Sequence, residues 1–231
     1  MFAAFLPCSC SKRVIQAGFR NEGNLLLRRF FVLKNKSRVQ LRTLTECALL
    51  VGLATALSFV KVYQAPLGGS VTLLSTLPIM YLSIRHGVLY GLGSGFIYSL
   101  IQLWQGSGNL AYVPTAAGVV GCIMLDYILP FTLLGTAGIF CRNKEKISLW
   151  QVLAGVITAT VLRFACHFIG GGIVWYEITK TGEWNDYVQK VGMWTYSFVY
   201  NITYLGPDGA MAIIASTALP SLEKALKKAK L

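Results

Sequence analysis

Long apolar runs separated by short polar connections make up most of the chain after residue 44. A helix that crosses a bilayer needs about 20 predominantly apolar residues. Pro78 lies within a short apolar run, where it is expected to kink or break a helix. We predict an all-α, polytopic membrane protein with six transmembrane helices, and the hydrophobic content of 55% supports this class. The predicted spans are 45–63, 70–84, 88–104, 114–141, 149–175 and 195–220.

Lys and Arg are distributed unequally between the connections. Seventeen of the 21 lie in the N-terminal arm, the second and fourth connections and the C-terminal tail. The other connections hold only Lys61, Lys180 and Lys190, and Arg163 lies within a span. Because cytoplasmic loops carry an excess of Lys and Arg, both termini are predicted to be cytoplasmic. The net charge of +12 is thus an orientation signal, so we expect contact with membrane lipid and no binding of nucleic acid.

The predicted spans divide the chain into three segments. We predict that residues 44–221 form a six-helix membrane domain. A basic cytoplasmic arm, residues 1–43, precedes it, and a basic cytoplasmic tail, residues 222–231, follows it. The arm has apolar clusters among its basic residues, which fits a helix on the inner membrane surface or a disordered arm. Its scarcity of acidic residues also fits a transit peptide, or a start codon assigned too far upstream.

Four residues in the fifth span follow one another at intervals of one helical turn: Arg163, His167, Gly171 and Trp175. Residues at i, i+4 and i+8 lie along one face of a helix. Polar and ionisable groups inside a membrane are costly and usually mark a ligand or ion pathway. The stripe therefore predicts a site within the membrane domain.

Two other spans carry polar groups that can reach the same outward-facing region. Asp126 and Tyr127 lie in the fourth span, and Tyr196 and Asn201 in the outer half of the sixth. Asp126 needs a partner, which is either Arg163 in a structural ion pair or a cationic ligand. Aromatic faces beside a carboxylate suit a flat, cationic, nitrogen-rich ligand.

A second pattern concerns contacts between helices. Ala48, Gly52 and Ala56 recur every fourth residue in the first span, and small residues at this spacing let another helix approach closely. Packing within the protein and docking of another subunit are equally good interpretations. The chain has no paired carboxylates, metal-ligand spacing, phosphate-binding loop or nucleophile elbow. We therefore predict neither an enzyme nor a bound cofactor or metal.

Taken together, these motifs resemble a known family over residues 44–219. The chain is similar to the thiamine-specific substrate-binding subunit (S component) of energy-coupling factor (ECF) vitamin importers. The order of the motifs and their spacing within each span match that family. The matching motifs are Asp126-Tyr127, Arg163 with Cys166-His167-Phe168 and Trp175, and Tyr196-Ser197-x-x-Tyr200-Asn201.

The resemblance implies a bacterial cell-membrane protein that binds thiamine with high affinity from the extracellular side. It also implies docking, through the small-residue stripe, to a module of one transmembrane coupling protein and two ATPases, which would hydrolyse the ATP. The roles that it implies are ligand contact by Asp126 and Tyr127, stacking by His167 and Trp175, pocket lining by Gly171, and hydrogen bonding by Tyr196 and Asn201.

The chain departs from the family pattern at two places. Family members often have Glu where this chain has Asp126, and some have a Trp in the first external loop where this chain has Leu67-Gly68-Gly69-Ser70. Two alternatives stay open. In the first, the chain has the same fold but binds another vitamin or a thiamine precursor. In the second, it is a stand-alone proton-coupled transporter in which Asp126 and His167 relay the proton.

Overall fold

The computed structural model describes residues 40–65, 68–142, 147–182 and 186–229. Residues 1–39 of the predicted basic arm lie outside the described residues. Apart from one small hairpin, the described elements are helical, which confirms the predicted helical membrane-protein class. The helices are α1 (Gln40–Ser58), α2 (Leu77–His86), α3 (Val88–Gly106), α4 (Ala116–Gly138), α5 (Leu149–Thr181), α6 (Asp186–Lys190), α7 (Met193–Ser216) and α8 (Leu219–Lys228). The hairpin comprises β1 (Lys61–Gln64) and β2 (Ser70–Thr72), and a short 3-10 helix (Ser107–Tyr112) follows α3.

Helices α1, α4 and α5 are each long and apolar enough to cross a membrane, and they are the three described helices that satisfy both criteria. Helices α3 and α7 contain 19 and 24 residues. At about 1.5 Å per residue they reach roughly 28 and 36 Å. Helix α2 has only 10 residues, so it spans about half of a bilayer core. The number of membrane crossings remains a prediction.

The second predicted span is wrong in its first half. Residues 70–72 form a strand and the helix starts only at Leu77, while the end of the first predicted span forms the partner strand. The strands pair antiparallel, with Gln64 opposite Ser70. Proline fits the first turn of a helix, where its missing N–H group costs nothing, and Pro78 lies at this position of α2.

The core lies where α2, α3, α4 and α5 meet, and glycines allow these helices to touch. A methyl group on Gly135 would lie 2.2 Å from the backbone nitrogen of Leu92, and one on Gly155 would overlap the carbonyl of Ala137. Ser83 bridges two helices, because its hydroxyl donates to the Gly135 carbonyl and accepts from the Gly138 N–H group at 2.8 Å. These contacts pack α4 directly against α2, α3 and α5.

A buried ion pair attaches α8 to α2. Glu223 is 5% exposed and accepts hydrogen bonds from the hydroxyl of Tyr81 at 2.5 Å and from Arg85 Nη1 at 3.0 Å. The lysines of α8, such as Lys224 and Lys228, are exposed. Helix α8 therefore presents one face to the protein and a basic face outward.

Candidate ligand-binding site

A cavity of about 220 Å³ lies between α1, the hairpin, α3, α4, α5 and α7. All seven residues that the sequence predicted as ligand contacts line this cavity, and Arg163 lines it too. Their elements are far apart in the chain, so the fold brings three separate motifs together. The seven are Asp126, Tyr127, His167, Gly171, Trp175, Tyr196 and Asn201.

Asp126 lies in a π-helical stretch of α4, Ile123–Ile128. Pro130 contributes to this irregularity, because it has no N–H group to donate to the carbonyl four residues earlier. The carboxylate of Asp126 accepts a hydrogen bond of 2.6 Å from the indole nitrogen of Trp175. Its other oxygen lies 3.4 Å from Nδ1 of His167. Asp126 is therefore held by two aromatic side chains.

Arg163 does not pair with Asp126, so of the two alternatives for Asp126 the structural ion pair is the wrong one. Its Nη1 atom lies 2.5 Å from Oδ2 of Asp208 on α7, and both side chains are at least nine-tenths buried. The guanidinium carbon of Arg163 also lies 5.2 Å from the centre of the Phe131 ring. Arg163 pairs with Asp208 and not with Asp126 because α5 and α7 direct these two side chains towards each other. Asp126 is thus left without a strong cationic partner among the described residues.

Asn201 lines the cavity and also joins α7 to α5. Most of its hydrogen-bonding groups are used within the protein. Its amide nitrogen donates to the carbonyls of His167 at 3.1 Å and Ser197 at 2.9 Å, and its oxygen accepts from Tyr204 at 2.7 Å. An amide oxygen can accept two hydrogen bonds, so one acceptor position is left for a ligand.

Gly171 has a clear reason to be glycine. A methyl group there would lie 2.5 Å from the hydroxyl oxygen of Ser197 and 2.8 Å from the amide nitrogen of Asn201. The missing side chain therefore lets α7 approach α5. Gly171 lines the cavity, but the space directly beside its Cα atom is taken by side chains of α7.

Tyr127 closes one side of the cavity. Its hydroxyl donates to the Gly106 carbonyl at 2.9 Å and accepts from the Asn109 amide at 3.3 Å. The ring thereby connects α4 to the end of α3. Gly106 permits this contact, since a methyl group there would lie 2.3 Å from the tyrosine oxygen.

Tyrosines one turn apart on α7 form an aromatic wall. Tyr196 and Tyr200 stack with ring centres 5.9 Å apart, and Tyr200 and Tyr204 meet edge to face at 5.7 Å. The hydroxyl of Tyr196 also shares a hydrogen bond of 2.8 Å with Thr179. Their four-residue spacing places the three rings on one face of α7.

Residues 44–228 match the family model described as "Thiamine transporter protein (Thia_YuaJ)". The chain belongs to this family. Its relatives include the "Thiamine transporter ThiT" of Bacillus subtilis strain 168, with 31% identity over 185 residues, 75% of this chain and 87% of the relative. The protein of the same name from Lacticaseibacillus paracasei is 25% identical over 171 residues, 70% of this chain and 78% of the relative.

A solved structure has the same fold. The structure described as ThiT from Listeria monocytogenes aligns with a TM-score of 0.60 and 23% identity. The alignment covers 82% of this chain and 97% of that one. This member of the thiamine transporter family is therefore a bacterial multi-pass membrane protein that serves transport and is not an enzyme.

The hairpin forms a wall of the cavity that was not predicted from the sequence. Gly69 packs against Tyr204, where a methyl group would lie 2.8 Å from the ring. Gly68 has a φ of +104° and lies directly against Asn109. Only glycine fits such a close, left-handed turn easily. Gly68, Gly69 and Ser70 of this loop therefore line the cavity; Leu67 is outside the described residues.

Polar side chains from α1, β1, α3 and the 3-10 helix complete the cavity. These side chains were not predicted from the sequence either, although Gln102 and Gln105 lie one turn apart in an apolar helix, which is a detectable signal. Ser58 and Gln105 hydrogen bond to each other at 3.1 Å across α1 and α3. Within the described residues no cluster of His, Cys, Asp and Glu could hold a metal ion. The lining residues in this group are Ser58, Lys61, Gln64, Gln102, Gln105 and Asn109.

The small-residue stripe of α1 faces outward. Ala48, Gly52 and Ala56 are all exposed, whereas Val51 and Ala54 on the opposite face are buried in the core. A methyl group on Gly52 would meet no atom within 4 Å. Packing against the described helices of this chain therefore does not explain the stripe.

Proposed function

We propose that this chain is the high-affinity thiamine-binding membrane subunit of an ATP-driven importer of the ECF type, and that it takes thiamine from the extracellular side. Membership of the thiamine transporter family and the names of the relatives support thiamine as the ligand. The site residues that we propose for ligand contact are Asp126, Tyr127, His167, Gly171, Trp175, Tyr196 and Asn201.

The observation that carries the proposal is the pairing of Arg163 with Asp208. A carboxylate that is already paired with a guanidinium has little charge left for a ligand. Asp126 is instead held by the Trp175 N–H group and approached by His167. Its negative charge is therefore available to a cation, and thiamine carries a positively charged thiazolium ring.

The aromatic wall supports the same ligand. Thiamine consists of two flat nitrogen-containing rings, one of them cationic, joined by a single carbon. Tyrosine and tryptophan faces attract cations, with about 0.5–2 kcal/mol for each contact. Tyr196, Tyr200 and Trp175 line the cavity beside Asp126. The cavity thus combines flat ring surfaces with one carboxylate.

The exposed stripe of α1 supports docking to a partner. Small residues at four-residue spacing allow close helix packing in lipid, and Ala48, Gly52 and Ala56 have no such contact within the described chain. We propose that the partner is the module of one transmembrane coupling protein and two ATPases. Hydrolysis of ATP by that module would drive release of thiamine into the cytoplasm.

Titration calorimetry with thiamine on the detergent-purified protein tests the ligand. We expect saturable binding that weakens roughly 10- to 100-fold in Asp126→Asn, because hydrogen bonds to charged groups contribute about 1.5–3 kcal/mol. Glu177→Gln is the matched control, since Glu177 is exposed and outside the cavity. A folded protein that binds no thiamine would refute the proposed ligand, and the titration would then be repeated with other vitamins and with thiamine precursors.

The 3.4 Å approach of His167 to Asp126 also fits a proton relay. A stand-alone proton-coupled transporter is therefore the second candidate. Uptake in cells separates the two functions. Uptake that survives deletion of the ATPases but stops when an ionophore collapses the proton gradient would favour the relay, and the reverse result would favour the ATP-driven importer.

A further inference from the structure

Asp208 is an acidic residue that was not predicted from the sequence as part of the site. It follows Pro207 in α7, is 2% exposed and does not itself line the cavity. A buried carboxylate is costly unless it is paired and hydrogen-bonded. Asp208 meets this requirement with partners on two other elements, Arg163 on α5 and Thr72 at the end of β2.

The first partner concerns charge. Arg163 lines the same cavity as Asp126 and extends over the Phe131 ring. An unpaired guanidinium there would repel a cationic ligand and would compete for the carboxylate of Asp126. The contact of 2.5 Å between Arg163 Nη1 and Asp208 Oδ2 neutralises this charge and directs it away from Asp126.

The second partner concerns the hairpin. Oδ1 of Asp208 accepts hydrogen bonds of 3.2 Å from both the backbone N–H and the hydroxyl of Thr72. The Thr72 hydroxyl also shares a hydrogen bond of 2.6 Å with Ser75, just before α2. Ser70, two residues before Thr72 on β2, lines the cavity. Asp208 thus fastens the base of the hairpin that forms one cavity wall.

We propose that Asp208 is a positioning residue for ligand binding, which neutralises Arg163 and anchors the hairpin through Thr72 without touching the ligand. This inference rests on the proposed function, because it assumes a cationic ligand beside Asp126. One carboxylate then serves both effects, with one oxygen on the arginine and the other on the hairpin.

Asp208→Asn tests the charge. Asparagine has the same shape and can still accept hydrogen bonds from Thr72, but it leaves Arg163 positively charged. We compare thiamine with its neutral thiophene analogue, in which carbon replaces the charged ring nitrogen. The affinity for thiamine should fall about tenfold more than the affinity for the analogue, the scale of one uncompensated charge at an effective protein dielectric. A purely structural defect would weaken both ligands equally.

The double variant Arg163→Gln with Asp208→Asn provides the rescue. It removes both charges, so the ratio of the two affinities should return to within about threefold of the wild-type ratio, as expected where two residues act as a pair. Glu177→Gln controls for the loss of a carboxylate elsewhere. A ratio that stays at the wild-type value in Asp208→Asn overturns the proposal.

Thr72→Val tests the anchor and remains informative if Asp208→Asn does not fold. Valine keeps the volume but removes the hydroxyl that donates to Asp208. In stopped-flow tryptophan fluorescence, thiamine should dissociate roughly three times faster or more, while association changes by less than about twofold, since such changes act mainly on dissociation. Thr203→Val is the matched control, because Thr203 is exposed on α7.

The outcomes distinguish this inference from the proposed function. If the folded wild-type protein binds no thiamine, both fall together. If the wild type binds thiamine but Thr72→Val dissociates at the wild-type rate, or Asp208→Asn weakens both ligands equally, only the role of Asp208 is overturned.

Discussion

Trp175 donates its indole N–H to the carboxylate of Asp126 across 2.6 Å, and each residue lies in a π-helical stretch of its helix. Such stretches are rare and frequently occur at functional sites. The wider turn changes the direction of the side chains relative to a regular α-helix. The carboxylate is thereby fixed at the cavity between two helices.

The first prediction concerns this hydrogen bond. Trp175→Phe keeps an aromatic ring but removes the donor, so the carboxylate loses its orientation. We expect the affinity for thiamine to fall roughly 10- to 100-fold, because a hydrogen bond to a charged group contributes about 1.5–3 kcal/mol. Calorimetry measures this without relying on the tryptophan signal. Trp150→Phe is the control, since Trp150 is 79% exposed. Unchanged affinity in Trp175→Phe would contradict the role of the hydrogen bond.

The stripe of α5 shows what a single sequence can predict about the site. Arg163, His167, Gly171 and Trp175 all line the cavity because residues one turn apart share a helix face. This geometry is local, so it can be read without knowing the fold. The π-helical stretch between Gly171 and Trp175 did not remove Trp175 from the cavity.

The partner of Arg163 shows where such prediction stops. Asp126 and Asp208 are both carboxylates in apolar segments, and nothing in their sequence context favours Asp208 as the partner of Arg163. The choice depends on how α4 and α7 are rotated about their axes, which packing across the whole core determines. The hairpin at residues 61–72 was missed for a related reason, because a short apolar run does not distinguish a strand from part of a helix.

A second prediction concerns the contact between α5 and α7. Gly171→Ala places a methyl group 2.5 Å from the Ser197 oxygen and 2.8 Å from the Asn201 amide nitrogen, so these hydrogen-bonded side chains or the helices themselves must shift. We expect the protein to be destabilised by about 1–3 kcal/mol, as in overpacked cores, and thiamine binding to weaken as well. Thermal unfolding in detergent measures the stability. Gly52→Ala is the matched control, where a methyl group meets nothing within 4 Å. Equal stability of both variants would show that the helices yield easily.

A third prediction concerns the attachment of α8. Glu223→Gln keeps the shape of the side chain but removes the charge that Arg85 contacts at 3.0 Å. We expect a loss of about 1–3 kcal/mol in stability, the usual range for a weakened buried polar pair. Glu177→Gln, at an exposed position, should leave the unfolding temperature unchanged. The affinity for thiamine should also stay at the wild-type value in Glu223→Gln, because Glu223 is outside the cavity. A weaker affinity would mean that α8 influences the site.

The last prediction separates ligand binding from coupling to a partner. Ala48→Trp combined with Ala56→Trp places two large rings on the exposed stripe of α1, where close helix packing needs small residues. Thiamine uptake by cells should fall about tenfold or more if this helix packing is lost. The reason is that ATP hydrolysis by the docked module is the proposed source of energy for uptake. Binding to the purified variant should stay normal, because neither residue lines the cavity. The control is Leu49→Trp with Leu53→Trp, at exposed positions beside the stripe. If the stripe variant imports thiamine at the wild-type rate, α1 does not dock a partner through these residues. If both variants fail equally, bulk anywhere on this helix is harmful and the stripe has no special role.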